Sequence, residues 1–158
     1  MKNRNILLGI LVIALLLFAV YYFSSNSKTN TLKKELTNFA VKDTASINKI
    51  FMADRSGKKV TLERVSSSEW RVNGKYKAKS SSINTLLETM HGITVKETVP
   101  KTAFNTIVKR LATQAVKVEI YQNNELSKTY YVGGPTLDYY GTYMLMENSS
   151  TPYVMWIY

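Results

Sequence analysis

The chain contains no cysteine, which excludes disulfides, a thiol nucleophile, thiolate metal sites and an N-terminus anchored through a lipidated cysteine. Histidine is nearly absent as well. The single imidazole, His91, argues against a zinc site or a Ser-His-Asp arrangement. It falls near the end of a helix-patterned segment, where a cation or a solvated ring is ordinary. Acidic residues are few, 11 Asp and Glu against 21 Lys and Arg, a formal net charge of +10. No long block of one sign accompanies that excess. The bases are scattered among acids, with short clusters only at Lys58, Lys59 and at Lys75, Lys77, Lys79. That spacing reads as a solvated face, so no nucleic-acid partner is expected. Close to an anionic bilayer the same charge would hold a domain at the surface. No internal repeat is present.

What the chain does have is one apolar run, unbroken from Ile6 to Phe23 and preceded by Lys2 and Arg4. A helix of roughly 20 residues matches a 30 Å hydrocarbon core, so the run is long enough to cross a bilayer. A secretory leader has a shorter core of about 7–15 residues and ends at a small-x-small site. This run instead passes through Ile6, Leu11, Leu16 and Phe18 and closes on Tyr21, Tyr22 and Phe23, aromatic residues suited to the membrane interface. A retained anchor is expected, with cleavage after Ser24 to Ser27 as the alternative and a buried core helix the least favoured. Lys28, Lys33 and Lys34 oppose Lys2 and Arg4 in the positive-inside balance. The short N-terminal tail favours an N-in, C-out orientation. The expected organisation is an anchor with a short cytoplasmic tail over 1–23, a flexible linker over 24–31 (SSNSKTNT) and a soluble domain over 32–158.

The soluble part is patterned as alternating strands and two helices. Ile47, Lys49 and Phe51 alternate against Asn48, Ile50 and Met52. After Ser56-Gly57, a second strand, Val60 to Val65, completes a hairpin. Glu69 to Val72 places Trp70 and Val72 on one face and breaks at Asn73-Gly74, a pair suited to a type I′ turn. Ser80 to Ser82 supply an N-cap for a helix carrying Ile83, Leu86, Leu87 and Met90 on one stripe and ended by Gly92. A strand from Ile93 to Val99 stops at Pro100. Thr102 is the expected cap of a second helix with Phe104, Ile107, Val108 and Leu111 inward and Lys109 and Arg110 outward. Val116, Val118 and Ile120 alternate with Lys117, Glu119 and Tyr121. Asn123-Asn124 turns the chain, Ser127 to Val132 returns, and Gly133-Gly134-Pro135 is expected to end that strand. Thr142 to Glu147 and Tyr153 to Ile157 form a last hairpin around 148–152. Hairpins, two helices and more hairpins in that order predict an α+β fold with mostly antiparallel strands.

Several stretches carry a family resemblance: Trp70-Arg71-Val72-Asn73-Gly74-Lys75-Tyr76-Lys77-Ala78, Leu86-Leu87-Glu88-Thr89-Met90, Val108-Lys109-Arg110-Leu111-Ala112, Val116-Lys117-Val118-Glu119-Ile120-Tyr121 and Tyr130-Tyr131-Val132-Gly133-Gly134-Pro135-Thr136. From about Leu32 to the end, the chain resembles domain-of-unknown-function family 4340 in the form found in Bacteroidetes. The resemblance implies a membrane-anchored cell-envelope protein, with an auxiliary role beside ABC-transporter or gliding-type components. It attaches no catalytic residues and no cofactor. Relatives continue past the point matching Tyr158, so the resemblance leaves open a truncated C-terminus.

Three constellations bear on function. Gly133-Gly134-Pro135-Thr136 resembles an anion loop but lacks the lysine of a P-loop, and Pro135 removes a donor; a turn is expected. Among Tyr130, Tyr131, Tyr139, Tyr140, Tyr143, Tyr153, Trp156 and Tyr158, strand packing accounts for most. Tyr139 and Tyr140, between Asp138 and Gly141, are the expected exposed pair. Asp54, Glu63, Glu69, Glu88, Glu97, Glu119, Asp138 and Glu147 include no clear pair for glycoside hydrolysis. The expected protein is therefore a non-catalytic, membrane-tethered binding or scaffold module in the periplasm, on the bacterial inner membrane. Its partners would be membrane lipid and an envelope protein, engaged at a sheet edge or through Gly133, Gly134, Pro135, Asp138, Tyr139 and Tyr140. Glycan or peptidoglycan binding through the exposed tyrosines is the alternative, and an envelope hydrolase the least favoured.

Overall fold

The structure, a computed structural model, describes residue 18 and residues 38–157. The anchor and linker segments expected at the N-terminus lie outside the described residues, Phe18 apart, as does Tyr158. Among the described residues no helix is long and apolar enough to cross a membrane.

The fold is α+β. Its strands are β1 (Ile47–Ala53), β2 (Lys59–Arg64), β3 (Trp70–Val72), β4 (Tyr76–Lys77), β5 (Ile93–Thr98), β6 (Val116–Gln122), β7 (Glu125–Pro135), β8 (Thr142–Met146) and β9 (Tyr153–Ile157). Helix α1 (Ser80–Gly92) precedes β5, and α2 (Lys101–Gln114) follows it. All strands join one antiparallel sheet in the order β4-β3-β2-β1-β6-β7-β8-β9-β5. Consecutive strands pair as hairpins within β1–β4 and within β6–β9. The two helices carry the chain to the far edge and back, which is why β1 pairs with β6 and β5 with β9.

Each face of the sheet holds its own core. On one, Ile50, Val118, Ile120, Tyr130, Met144 and Met155 pack with Ile83 and Met90 of α1 and with Phe39 and Val41. The ring of Phe39 lies 5.9 Å from that of Tyr130 and 6.3 Å from that of Tyr153. The Val41 amide donates to the Met90 carbonyl at 2.8 Å. On the other face, Ile107 and Leu111 of α2 meet Val99, Ala115 and Val154. Both helical stripes read from the sequence thus face the sheet, with Phe104 and Val108 half-buried and Lys109 and Arg110 exposed.

Four sequence expectations need correction. Strict alternation in β1 fails, because Asn48 is an extra residue where Ile47 pairs Gln122 and Lys49 pairs Tyr121. This bulge lets Ile47 and Ile50, three apart, both reach the core. Asn48 secures it by donating its side-chain amide to Asn124 Oδ1 and accepting from the Asn124 backbone amide at 3.2 Å. The residue capping α1 is Lys79 and the one capping α2 is Pro100, neither with a side-chain cap bond; Ser80 to Ser82 and Thr102 lie inside or at the start of the helices. Most consequentially, Gly133-Gly134-Pro135 does not end the strand. β7 continues through it to a pairing of Pro135 with Thr142. The reason is packing, since a Cβ on Gly133 would stand 2.6 Å from Leu111 Cδ2. Glycine there admits α2 to the sheet.

The two hairpin turns read from Asn73-Gly74 and Asn123-Asn124 hold. Asn73 and Gly74 both have positive φ (51° and 67°), as do Asn123 and Asn124 (52° and 69°), the conformation that type I′ hairpins require.

Candidate functional site

After Pro135 the chain makes a six-residue loop, 136–141, whose backbone is tied down from within. The Thr136 amide donates to the Gly141 carbonyl at 2.8 Å, and the Tyr139 amide to the Thr136 carbonyl at 3.0 Å. Thr136 Oγ1 accepts from the Gly141 amide at 3.0 Å and donates to Asp138 Oδ1. The same carboxylate oxygen accepts from the Tyr140 amide at 3.1 Å. These bonds, the Thr136 hydroxyl first, hold the Asp138 carboxyl below its ordinary value. Gly141 has no room for a side chain, because a Cβ would stand 2.5 Å from Val154 Cγ1.

This fastening presents apolar groups outward. Leu137 is 93% exposed, Tyr139 82% and Tyr140 75%. Tyr139 sits at φ 61°, a left-handed conformation that costs an L-residue roughly 1–2 kcal/mol. Leu137, Tyr139 and Tyr140 thus give a hydrogen-bonded loop an exposed, largely apolar tip.

Beneath the loop, between α1 and the inner face of the sheet, lies a cleft of about 500 Å³. Its wall includes Met52, Met90, Val118, Tyr130, Met144 and Met155, with Pro135, Tyr139, Tyr140 and Gly141 at the loop. Among the described residues no charged side chain lines it. Burial pushes the Tyr130 phenol far above its ordinary value, so it stays neutral. Across the loop, a second hollow of about 320 Å³ is bordered by Arg110, Gln114, Gly133, Gly134, Thr136 and Leu137, and it shares Pro135 and Tyr139 with the first.

The predicted site residues therefore divide. Pro135, Tyr139 and Tyr140 border the cleft; Gly133 and Gly134 belong to strand β7 and face the second hollow; Asp138 organises the loop. Sequence reasoning missed Leu137, the cleft and the placing of Arg110. No local signal could have found the cleft: four of the chain's 6 methionines line it, but they meet only through the fold.

Several other polar groups have local partners. Lys117 Nζ lies 2.9 Å from Glu119 Oε1, and the Tyr121 hydroxyl donates to Glu119 Oε2 at 2.9 Å. Asp54 Oδ1 accepts from Ser56 and Lys58 in the turn after β1. His91 Nδ1 lies 3.0 Å from the Lys42 carbonyl, which can only accept, and Lys42 Nζ donates to the His91 carbonyl at 3.1 Å. That reciprocal pair ties the segment before β1 to the end of α1. Among the described residues no group of three or more His, Asp or Glu could hold a metal ion. Both sheet edges hinder strand addition: β4 has two residues, and β5 is bulged between Val95 and Glu97.

No protein-family model matches the chain, and no curated protein or solved structure matches it either.

Proposed function

We propose that this chain is a non-catalytic binding module, tethered to the bacterial inner membrane by residues 6–23, with its folded domain in the periplasm. In this reading it serves an envelope assembly of transporter-accessory type, as the resemblance to family 4340 implies, and engages a protein partner through the loop 136–141. The observation that carries the binding reading is the pre-organised apolar tip of Leu137, Tyr139 and Tyr140, held by Thr136 and Asp138. Rigid aromatic anchors lose little entropy on docking, and such residues dominate interface energetics. The hindered sheet edges favour the loop over strand addition.

A photoreactive residue placed at Leu137 in the full chain, irradiated in intact cells, tests this. The expected result is a discrete adduct with an envelope protein, reduced by Tyr139→Ala plus Tyr140→Ala. Irradiation that yields no protein adduct overturns the reading.

The exposed pair Tyr139 and Tyr140 also favours a second reading, stacking on cell-wall glycan. Sedimentation with purified peptidoglycan that is abolished by the same double substitution would select it. Unchanged sedimentation removes it.

A further inference from the structure

We propose that the cleft between α1 and the sheet binds a long-chain fatty acid, with the hydrocarbon chain inside and the carboxylate outside at Arg110. The inference does not rest on the tether or on a protein partner.

The cleft selects hydrocarbon by exclusion. Among the described residues its wall has no charged side chain, and its space of about 500 Å³ lies within the range of small-molecule sites. A charged group placed there would lose its hydration without compensation. The walls also suit a chain of many conformers. Met52, Met90, Met144 and Met155 come from β1, α1, β8 and β9, and unbranched thioether side chains adapt to irregular apolar shapes.

The head group follows from what lies across the loop 136–141, on the α2 side of the sheet. Pro135 and Tyr139 border both the cleft and the second hollow. Among the described residues Arg110 is the one charged residue bordering that hollow, beside Gln114. Its guanidinium takes part in neither of the ion pairs formed among the described residues. A guanidinium presents a fork of donors matched to a carboxylate, and Gln114 adds an amide donor. A ligand that passes from an uncharged cleft across Tyr139 to an unpaired arginine is therefore an anionic amphiphile rather than a neutral one. The chain's net charge of +10 favours the same sign of ligand.

The test uses membranes containing the full chain and a fatty acid that carries a diazirine at its terminal carbon. After irradiation, adducts are mapped by mass spectrometry. The expected adducts fall on cleft residues such as Met144, Met155 or Val118. Arg110→Gln, a change on an exposed helix face, is expected to lower labelling about tenfold, the loss of one charge-assisted hydrogen bond. The fatty alcohol bearing the same diazirine should label weakly and be insensitive to Arg110→Gln. Val118→Trp, which fills the cleft, should abolish labelling while the circular dichroism stays that of the parent. If that variant fails to fold, the adduct map and the Arg110 comparison still decide. Adducts confined to residues 6–23, or displacement of the probe by an apolar peptide but not by unlabelled fatty acid, would overturn the proposal. Equal labelling by acid and alcohol would overturn the assignment of Arg110.

Discussion

Gly133 approaches Leu111 so closely that the missing side chain is the contact. A Cβ built there would lie 2.6 Å from Leu111 Cδ2 and 3.1 Å from the Tyr143 carbonyl oxygen. The leucine tip can swing aside, but the carbonyl belongs to the next strand. Gly133→Ala should therefore destabilise the domain by about 1–3 kcal/mol through overpacking. Gly134 meets nothing within 4 Å and is not among the positive-φ glycines, so Gly134→Ala should change stability by less than about 0.5 kcal/mol. Denaturant unfolding of the two single variants checks the contrast; equal effects would refute the packing argument.

The loop gives a prediction in pH. Asp138 keeps its carboxyl below the ordinary 3.8 because the Thr136 hydroxyl and the Tyr140 amide bond to the charged form. A depressed native value means that loop order is complete above 3.8 and is lost as pH falls through the native value. Hydrogen exchange at the Tyr140 and Gly141 amides should accelerate in that acid window, relative to its intrinsic pH dependence. Asp138→Ala should show the accelerated exchange at neutral pH with global stability nearly unchanged, because the carboxylate is fully exposed. An unchanged exchange rate in the variant would show that the backbone bonds alone hold the loop.

Tyr130 supplies the alkaline counterpart. Its phenol is buried beside Phe39 and its pKa is pushed far up by desolvation. The native state keeps the proton while the unfolded chain gives it up above about 10, so stability is intact below that pH and falls above it. Tyr121 and Tyr131 act in the same direction, chiefly through hydrogen bonds to Glu119 and Glu147. Tyr130→Phe should leave unfolding at neutral pH nearly unchanged and flatten the alkaline decline. A variant with the parent's full alkaline sensitivity would place the titration elsewhere.

What the sequence made legible is what depends on local chemistry. Asn73-Gly74 and Asn123-Asn124 can adopt positive φ whatever surrounds them, and both hairpins follow. Ile83, Leu86, Leu87 and Met90 form a stripe at helical spacing, and that stripe meets the sheet. The failures are non-local. Gly133-Gly134-Pro135 reads as a break, yet α2, more than twenty residues earlier, needs that smooth surface, and the strand runs on. Asn48 looks like a member of an alternating strand until Asn124 pairs with it across β1 and β6. The caps fail for another reason: Lys79 and Pro100 provide extended backbone before each helix without a side-chain acceptor. At the site, Tyr139 and Tyr140 were legible because their flanking Asp138 and Gly141 mark a loop. The cleft was not, because its methionines spread from Met52 to Met155 and only the pairing order brings them together.

The outer face of the sheet carries a short charged ladder whose worth has defined limits in pH. Glu119 bonds Lys117 at 2.9 Å and accepts from Tyr121 at 2.9 Å, while Lys49 Nζ stands 3.6 Å from the centre of the Tyr121 ring. Lys117, first of the causes, holds the Glu119 carboxyl below its ordinary 4.5, and Glu119 in turn raises Lys117 above 10.5. The depressed acid stabilises above 4.5 and loses that contribution as pH falls through its native value; the raised base stabilises below 10.5 and loses its contribution as pH rises through its own. Because the Lys117 side chain is 37% exposed, solvent screens the pair, and Glu119→Gln should cost only about 0.5 kcal/mol. That difference should be flat between the two limits and shrink outside them, as measured by urea unfolding at a series of pH values. Raising the salt concentration should narrow it further, because exposed pairs are screened; a cost that is independent of both salt and pH would assign it to the Tyr121 hydrogen bond alone.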